Sequence, residues 1–228
     1  MKNVVIKISG KLIDPDKREL LEKFADILRE LYNRGLKILV VVGGGEKARS
    51  YINACRELTK NEGLCDLIGI EMTRVNAMLL AISLSDVAYT KIPRNFDEIF
   101  EAWATGKIVI AGGLQPGQST IAVAASIAEV LHTDLLIYAT VVEGVYDKDP
   151  SKPDARLLKE VSVRSLRELM KGSQSFVAGG YELIDPIALN IIERSKINTV
   201  IINGKDPYNI IRVINGESIG TRIVFKTT

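Results

Sequence analysis

LKILVVVGGGEKARSYINACREL, residues 36–58, decides how the rest of this chain is read. Residues 36–42 are almost continuously apolar and stop at three glycines, Gly43, Gly44 and Gly45. A helical pattern through Arg49, Ile52 and Leu58 follows. A short apolar run bounded by glycines reads as a strand buried on both faces, and a strand running into a helix reads as half of a parallel βαβ unit. The other half lies upstream, where residues 3–8 form a second apolar strand ending in the turn Ser9, Gly10, Lys11. Asp14 is expected to cap the next helix with Pro15 at its first position. The apolar residues Leu20, Leu21, Phe24, Ile27, Leu28 and Leu31 recur at helical spacing until a stop at Gly35.

The alternation continues downstream. Helices are expected over 66–84, 97–104 and 120–131, and strands over 87–91, 107–111 and 135–140. Residues 143–153, rich in Gly, Asp and Pro, read as a loop. Asp185 and Pro186 open a late helix, 199–202 is a strand, and Asp206 with Pro207 makes a turn before a last helix and strand. This pattern predicts one α/β domain, a three-layer sandwich of a mainly parallel sheet with helices on both faces. No internal repeat or low-complexity tract interrupts it.

Composition narrows the function classes. The chain has 228 residues, 46% hydrophobic and 25% charged, which suits one compact globular unit. A net charge of +2 gives no global field toward nucleic acid or a membrane surface, so neither is expected as a partner and anion binding must be local. No stretch approaches roughly 18 uninterrupted apolar residues, and the first residues carry no signal-peptide pattern, so a cytoplasmic location is expected. Cys55 and Cys65 lie outside any CxxC spacing and His132 is the single histidine, so no Cys/His metal site is expected and both thiols are read as reduced and structural.

In open α/β sheets ligands gather at the carboxyl ends of the strands. Three post-strand loops there are glycine-rich: Ser9-Gly10, Gly43 to Gly45, and Gly112-Gly113 with Gly117 beyond. Glycine lets backbone N–H groups approach a phosphate, and a helix start behind the loop adds its dipole. One such loop is as readily a corner of the fold; three on one sheet edge could surround several phosphates. Neither GxxxxGK followed by Ser or Thr nor GxGxxG after a strand occurs, which removes the P-loop and dinucleotide-binding readings. Cations are available instead at Lys7, Lys11 and Arg49. A lysine inside the apolar strand VVIKI is costly without an anionic partner unless it points out at an edge. Phosphoryl transfer needs positioning and charge neutralisation more than covalent help.

The start KISGK, the GGG triplet with Arg49 behind it, LQPGQST at 114–120, and Thr140 followed by GVYDKDP together resemble the amino acid kinase superfamily, most closely its archaeal-type uridylate kinases. The resemblance covers essentially the whole chain. GGG with an arginine at that distance separates it from carbamate and acetylglutamate kinases, and no histidine near this loop separates it from isopentenyl phosphate kinases. The resemblance implies transfer of the γ-phosphoryl group of ATP to UMP, with Mg²⁺ bridging the ATP phosphates, and a homo-oligomer, a hexamer built from dimers. It implies that Lys7, Ser9 and Gly10 meet ATP phosphates, that Gly45 and Arg49 meet the same nucleotide, and that Lys7 and Arg49 are the catalytic cations. Thr140, Tyr146 and Asp149 would hold other parts of ATP, although Tyr146 could equally be a packing residue. Gly44 would touch UMP and Asp66 its ribose, or Asp66 could be a plain helix cap. Leu114, Gln115, Pro116, Gly117, Gln118, Ser119 and Thr120 would wrap the uracil and phosphate. Residues 1–134 would then form the UMP and phosphate-loop lobe and 135–228 the ATP lobe.

Two positions depart from the family pattern. Ser119, Thr120 and Ile121 stand where many relatives have Thr-Thr-Asp, and Glu143 stands where many have Asp. The first removes a carboxylate that could orient the lysines, a role Asp134 or Asp185 could take over. It also leaves open a non-catalytic nucleotide sensor or storage protein, beside another kinase of the superfamily. His132 reads as a helix-end residue, Trp103 and Phe100 as packing or interface residues, and the cations between Lys152 and Lys171 as a solvated face.

Overall fold

The computed structural model describes residues 2–149, 152–172 and 183–225. Along the chain run β1 (Asn3–Ile8), α1 (Arg18–Asn33), β2 (Lys37–Val42), α2 (Gly45–Leu58), α3 (Glu62–Ser83), α4 (Phe96–Ala104), β3 (Val109–Ala111), α5 (Thr120–Val130) and β4 (Leu135–Thr140). Then come β5 (Glu160–Ser162), α6 (Val163–Gly172), α7 (Pro186–Arg194), β6 (Thr199–Asn203), α8 (Tyr208–Ile214) and β7 (Thr221–Val224). The described strands form one sheet in the order β3-β2-β1-β4-β6-β7-β5. Every pairing is parallel except β6 with β7.

The central strands are apolar at most positions because both of their faces are covered. Val4, Ile6 and Ile8 of β1 pack with Phe24 and Leu28 of α1, Leu80 of α3 and Ile210 of α8. On the opposite face Val5 joins Leu136 of β4, Ile99 of α4, residues 121–125 of α5 and Leu189 of α7. Ala122, Ala124 and Ala125 are fully buried, so α5 lies close against the sheet, where larger side chains would overpack. The parallel strands β1, β2, β3, β4 and β6 share one edge for their carboxyl ends, which is where the sequence put the site.

Several boundaries differ from the sequence reading. Asp14 does not cap α1, which starts at Arg18 with no side-chain cap. Its Oδ1 instead accepts from the Asp16 N–H at 3.0 Å and its carbonyl from the Lys17 N–H at 2.8 Å. Asp–Pro here closes a turn of its own, the competition with helix that aspartate side chains offer. α3 starts four residues before Asp66 and is capped by Asn61, whose side chain accepts from Leu64 N–H at 3.2 Å. The strand expected over 87–91 shrinks to a bridge between Ala88 and Ile108. Most of the cations expected to form a solvated face between 152 and 171 are exposed, Arg164 among them, while the same segment forms β5 and α6 with Val161, Val163 and Leu166 buried. Pro150 and Ser151, inside the expected 143–153 loop, lie outside the described residues.

Candidate active site

The loops after β1 and β2 touch through their backbones. A Cβ on Gly10 would stand 2.1 Å from Gly45 N and 2.5 Å from the carbonyl of Gly43. One on Gly45 would stand 2.4 Å from Gly10 O, and Gly45 has φ +71°, a left-handed conformation. No side chain fits between these loops, which explains glycine at both positions. The Ser9 N–H is committed to Ala139 O at 2.9 Å and the Gly43 N–H to Ile8 O at 3.0 Å. Among the described residues the N–H groups of Gly10, Lys11 and Gly44 meet no protein acceptor, and α2 starts behind them without a side-chain cap. This junction therefore presents backbone donors and a helix N-terminus to an anion.

Two buried polar residues of α3, unremarked in the sequence reading, hold these loops. Asn76 donates to Gly43 O at 2.9 Å and Gly44 O at 3.1 Å. Thr73 Oγ1 accepts from Gly113 N at 2.6 Å and donates to Ile70 O at 2.6 Å. Polar residues three apart on the buried face of a helix were the available signal, since burial without partners is costly. The third glycine loop thus differs from the other two: Gly113 N–H serves Thr73, and Gly117 N–H serves Asp66 Oδ2 at 2.8 Å. These amides shape the loop and do not face a phosphate.

Between α2, α3 and the 114–120 segment lies a cleft of ≈ 430 Å³. It brings together Gly44, Gly45, Arg49, Asp66, Gln115, Gln118, Ser119 and Thr120 from the predicted set. Ile52 and Ile70 add an apolar surface, and Arg56 a second cation that sequence reading missed. Arg56 is tied to Glu62 at 2.8 Å, a hydrogen bond that raises the arginine pKa and holds the Glu62 carboxyl below its usual range. Arg49 is exposed and has no ion pair among the described residues. Leu114, Pro116 and Gly117 belong to the same segment without lining the cleft, and Lys7, Ser9, Gly10, Thr140, Tyr146 and Asp149 also lie outside its lining.

Lys7 does not sit at a sheet edge. It occupies the central strand β1 one residue before its end, opposite Val41 and Tyr138, and is 6% exposed. Its Nζ stands 4.3 Å from the centroid of the Tyr138 ring. The two candidate substitutes for the missing carboxylate are separated by the fold. Asp134 accepts from Asn3 N–H at 2.8 Å, at the amino end of β1 and away from the site. Asp185 caps α7 through Oδ1, accepting from Ile187 N at 2.9 Å and Ala188 N at 3.0 Å, while Oδ2 receives the Ser119 hydroxyl. Ser119 Oγ in turn accepts from Ala122 N at 3.1 Å and caps α5. Asp185 is thus a carboxylate beside the cleft. Ile121 is 6% exposed and packs in the core.

Thr140 ends β4, buried, with its carbonyl accepting from Gly204 N at 2.7 Å. Tyr146, half-buried, bridges to Leu157, and Asp149 is exposed with its carbonyl accepting from Lys152 N at 3.0 Å. Glu143 accepts from Asn203 Nδ2 at 2.6 Å, which links the loop after β4 to the end of β6. Cys55 and Cys65 are free and buried with their sulfurs 2.6 Å apart, and the neighbouring sulfur and burial push the Cys65 thiol up to about 11. His132 ends α5 at φ 47°.

Residues 2–203 match the model of the amino acid kinase family. The uridylate kinase of Sulfolobus acidocaldarius is 46% identical over 217 residues, 95% of this chain and 96% of its own. That of Methanobrevibacter smithii is 46% identical over 226 residues, 98% of this chain and 99% of its own. The crystal structure of uridylate kinase from Archaeoglobus fulgidus superposes with a TM-score of 0.88 at 39% identity, covering 98% of this chain and 100% of that one. UMP kinase from Bacillus anthracis shares the fold, with a TM-score of 0.80 at 21% identity over 97% of this chain and 95% of that one.

Proposed function

We propose, from the premise that this chain belongs to the amino acid kinase family, that it is a uridylate kinase, moving the γ-phosphoryl group of ATP to UMP and yielding UDP and ADP. The observation that carries the reading is the cleft of ≈ 430 Å³. One end offers Arg49 and the Gly44 amide for a phosphate. Asp66 stands ready for ribose hydroxyls, and Ile52 and Ile70 offer a surface for a flat base. Pockets of this size with a few convergent polar groups suit a mononucleotide.

The chemistry asks little of the protein in proton transfer. A phosphate oxygen of UMP attacks the γ-phosphorus, the bond from that phosphorus to the bridging oxygen breaks, and the electron pair leaves on ADP. A phosphate monoester loses its second proton near a pH of about 6, so the nucleophile is already anionic at neutral pH and no general base is required. What remains is neutralising charge on the moving group, assigned to Lys7, Arg49 and the amides around Gly10 and Gly45. Ser9 contributes its hydroxyl, since its N–H is committed to Ala139. Thr140, Tyr146 and Asp149 take the rest of ATP, so that residues 1–134 serve UMP and the phosphate loops and 135–228 serve ATP. Leu114, Pro116 and Gly117 keep the 114–120 segment in shape around uracil.

Mg²⁺ is expected with ATP. No three His, Cys, Asp or Glu among the described residues cluster as a metal cage. Magnesium usually keeps waters and phosphate oxygens with one or two carboxylates, a donor set that Asp185 beside Ser119 fits. When bound, the ion neutralises phosphate charge. A homo-oligomer is supported by an apolar stripe on α3, where Leu64, Leu67, Val75, Met78 and Ile82 are 48–66% exposed, and the resemblance would make it a hexamer. A cytoplasmic site of action in pyrimidine nucleotide synthesis follows from that substrate. The test is a coupled assay of ADP release with UMP, CMP, dUMP and non-nucleotide acceptors at equal concentration. UMP is expected to give the highest kcat/KM, and a higher value with a carbamate or isoprenoid phosphate acceptor would overturn the assignment.

A further inference from the structure

Lys7 poses an electrostatic problem that the fold solves in an unusual way. The residue as a whole is 6% exposed on the central strand and, among the described residues, its ammonium has no ion pair and no hydrogen bond. A lysine whose stem is buried this far is costly unless something faces its charged end favourably. α5, on the same face, presents Ile121 in its first turn, so that helix supplies no counter-charge there. What faces Nζ is the ring of Tyr138, 4.3 Å from its centroid, on the neighbouring strand and directly opposite in register. Tyr138 is itself 6% exposed. The face of an aromatic ring carries the negative lobe of its quadrupole and attracts an ammonium most strongly where water is excluded.

We propose that Tyr138 is the positioning residue for Lys7, holding its ammonium with the face of an aromatic ring where no carboxylate among the described residues pairs with it. The proposal rests on the reading above in which Lys7 meets the transferred phosphoryl group. It adds a chemical distinction. A carboxylate pairs with a lysine and cancels much of its charge toward a third group, whereas a neutral ring fixes the ammonium without neutralising it. The full positive charge then remains for the phosphates. The effect should therefore fall on kcat, where charge on the moving group counts, and leave UMP binding nearly unchanged.

The experiment compares Tyr138→Phe, Tyr138→Leu and Tyr138→Met in the full-length chain, with steady-state kcat and KM for UMP and ATP and thermal unfolding of each variant. Phe keeps the ring face and is expected to stay within about threefold of the parent kcat. Leu and Met remove it and are expected to lower kcat about 30-fold, the equivalent of about 2 kcal/mol, with the UMP KM within about threefold. Met keeps more length and serves if the Leu variant does not fold. Equal losses in Phe and Leu, or a ringless folded variant at parental kcat, would overturn the proposal. Lys7→Met, measured alongside, separates the two readings. An undiminished kcat there refutes the role of Lys7 itself, while a large loss there combined with parental Tyr138→Leu refutes only the role of the ring.

Discussion

Replacing Asp66 with alanine removes its hydrogen bond to Gly117 and, on the proposed reading, a second one to the UMP ribose. Oδ2 holds the Gly117 N–H at 2.8 Å and so ties the 114–120 segment to α3, while the other oxygen has no protein donor among the described residues and is assigned to a ribose hydroxyl. A hydrogen bond to a charged group contributes about 1.5–3 kcal/mol. Asp66 is half-buried, which places it toward the lower end, about 1.5–2 kcal/mol. At 1.4 kcal/mol per decade that is roughly a 10- to 30-fold rise in the UMP KM. The ribose is remote from the reacting phosphorus, so this is uniform binding energy and kcat should change less than about threefold. Asp66→Asn separates the contributions, because an amide oxygen can still accept from Gly117 while the charge is gone; a rise of about three- to tenfold is expected. Initial rates at saturating ATP across a UMP series give KM, and calorimetric titration of UMP gives the binding constant directly. An unchanged KM in the alanine variant would refute the ribose assignment, and a fall in kcat at constant KM would move Asp66 into the transition state.

Gly10→Ala pushes a Cβ to 2.1 Å from Gly45 N, backbone that cannot yield, so a loss of about 3 kcal/mol or more and a Tm lower by roughly 6–12 °C are expected by calorimetry. A parental Tm would mean that the two loops are not in contact. Ile121→Asp places a carboxylate at a position 6% exposed; kcat should rise by less than about tenfold, since the nucleophile needs no base, and a larger gain would show that the reaction requires an acid group there. Glu129 receives Arg194 and Ser195, and those hydrogen bonds hold its carboxyl below the ordinary 4.5. Its folded pKa is depressed, so the stability it contributes is present above 4.5 and is lost as pH falls through the lowered folded value. In Glu129→Gln the Tm should fall less steeply between about pH 5 and pH 3, and parallel profiles would refute the linkage.

The sequence made the middle of the sheet easy to read and its edges hard. β1, β2 and β4 are largely apolar on both faces, so short continuous apolar runs identified them, with glycines closing the first two. The 87–91 segment and β5 have at most one partner strand, and the long-range pairing that defines them leaves little local pattern. Asp14–Pro15 carried a helix-start signal that a turn used instead. Within the site, the contact between Gly10 and the Gly43 to Gly45 turn was foreshadowed by the glycines themselves. Thr73, Asn76 and Tyr138 were not, because each acquires its role from a partner on a different element. The shared placement of the three glycine loops was correct, yet only their hydrogen-bond partners reveal that the third is held by α3 through Thr73 and Asp66.

The position of β7 bears on how the chain is completed during translation. Among the described residues β5 has β7 as its sole strand neighbour, and Thr221 at the start of β7, with no exposed surface, donates to Leu158 O at 2.5 Å and accepts from Val145 N at 2.9 Å. A single late residue thus anchors both the edge strand and the loop after β4. α2, α3 and the 114–120 segment that line the cleft emerge from the ribosome early, whereas residues 143–149 and 158–162 must wait for 221–224, an interval on the order of seconds at ordinary elongation rates. A nascent chain stalled before Thr221 therefore lacks the anchor of the loop after β4, and on the proposed reading it would hold UMP before it could hold ATP.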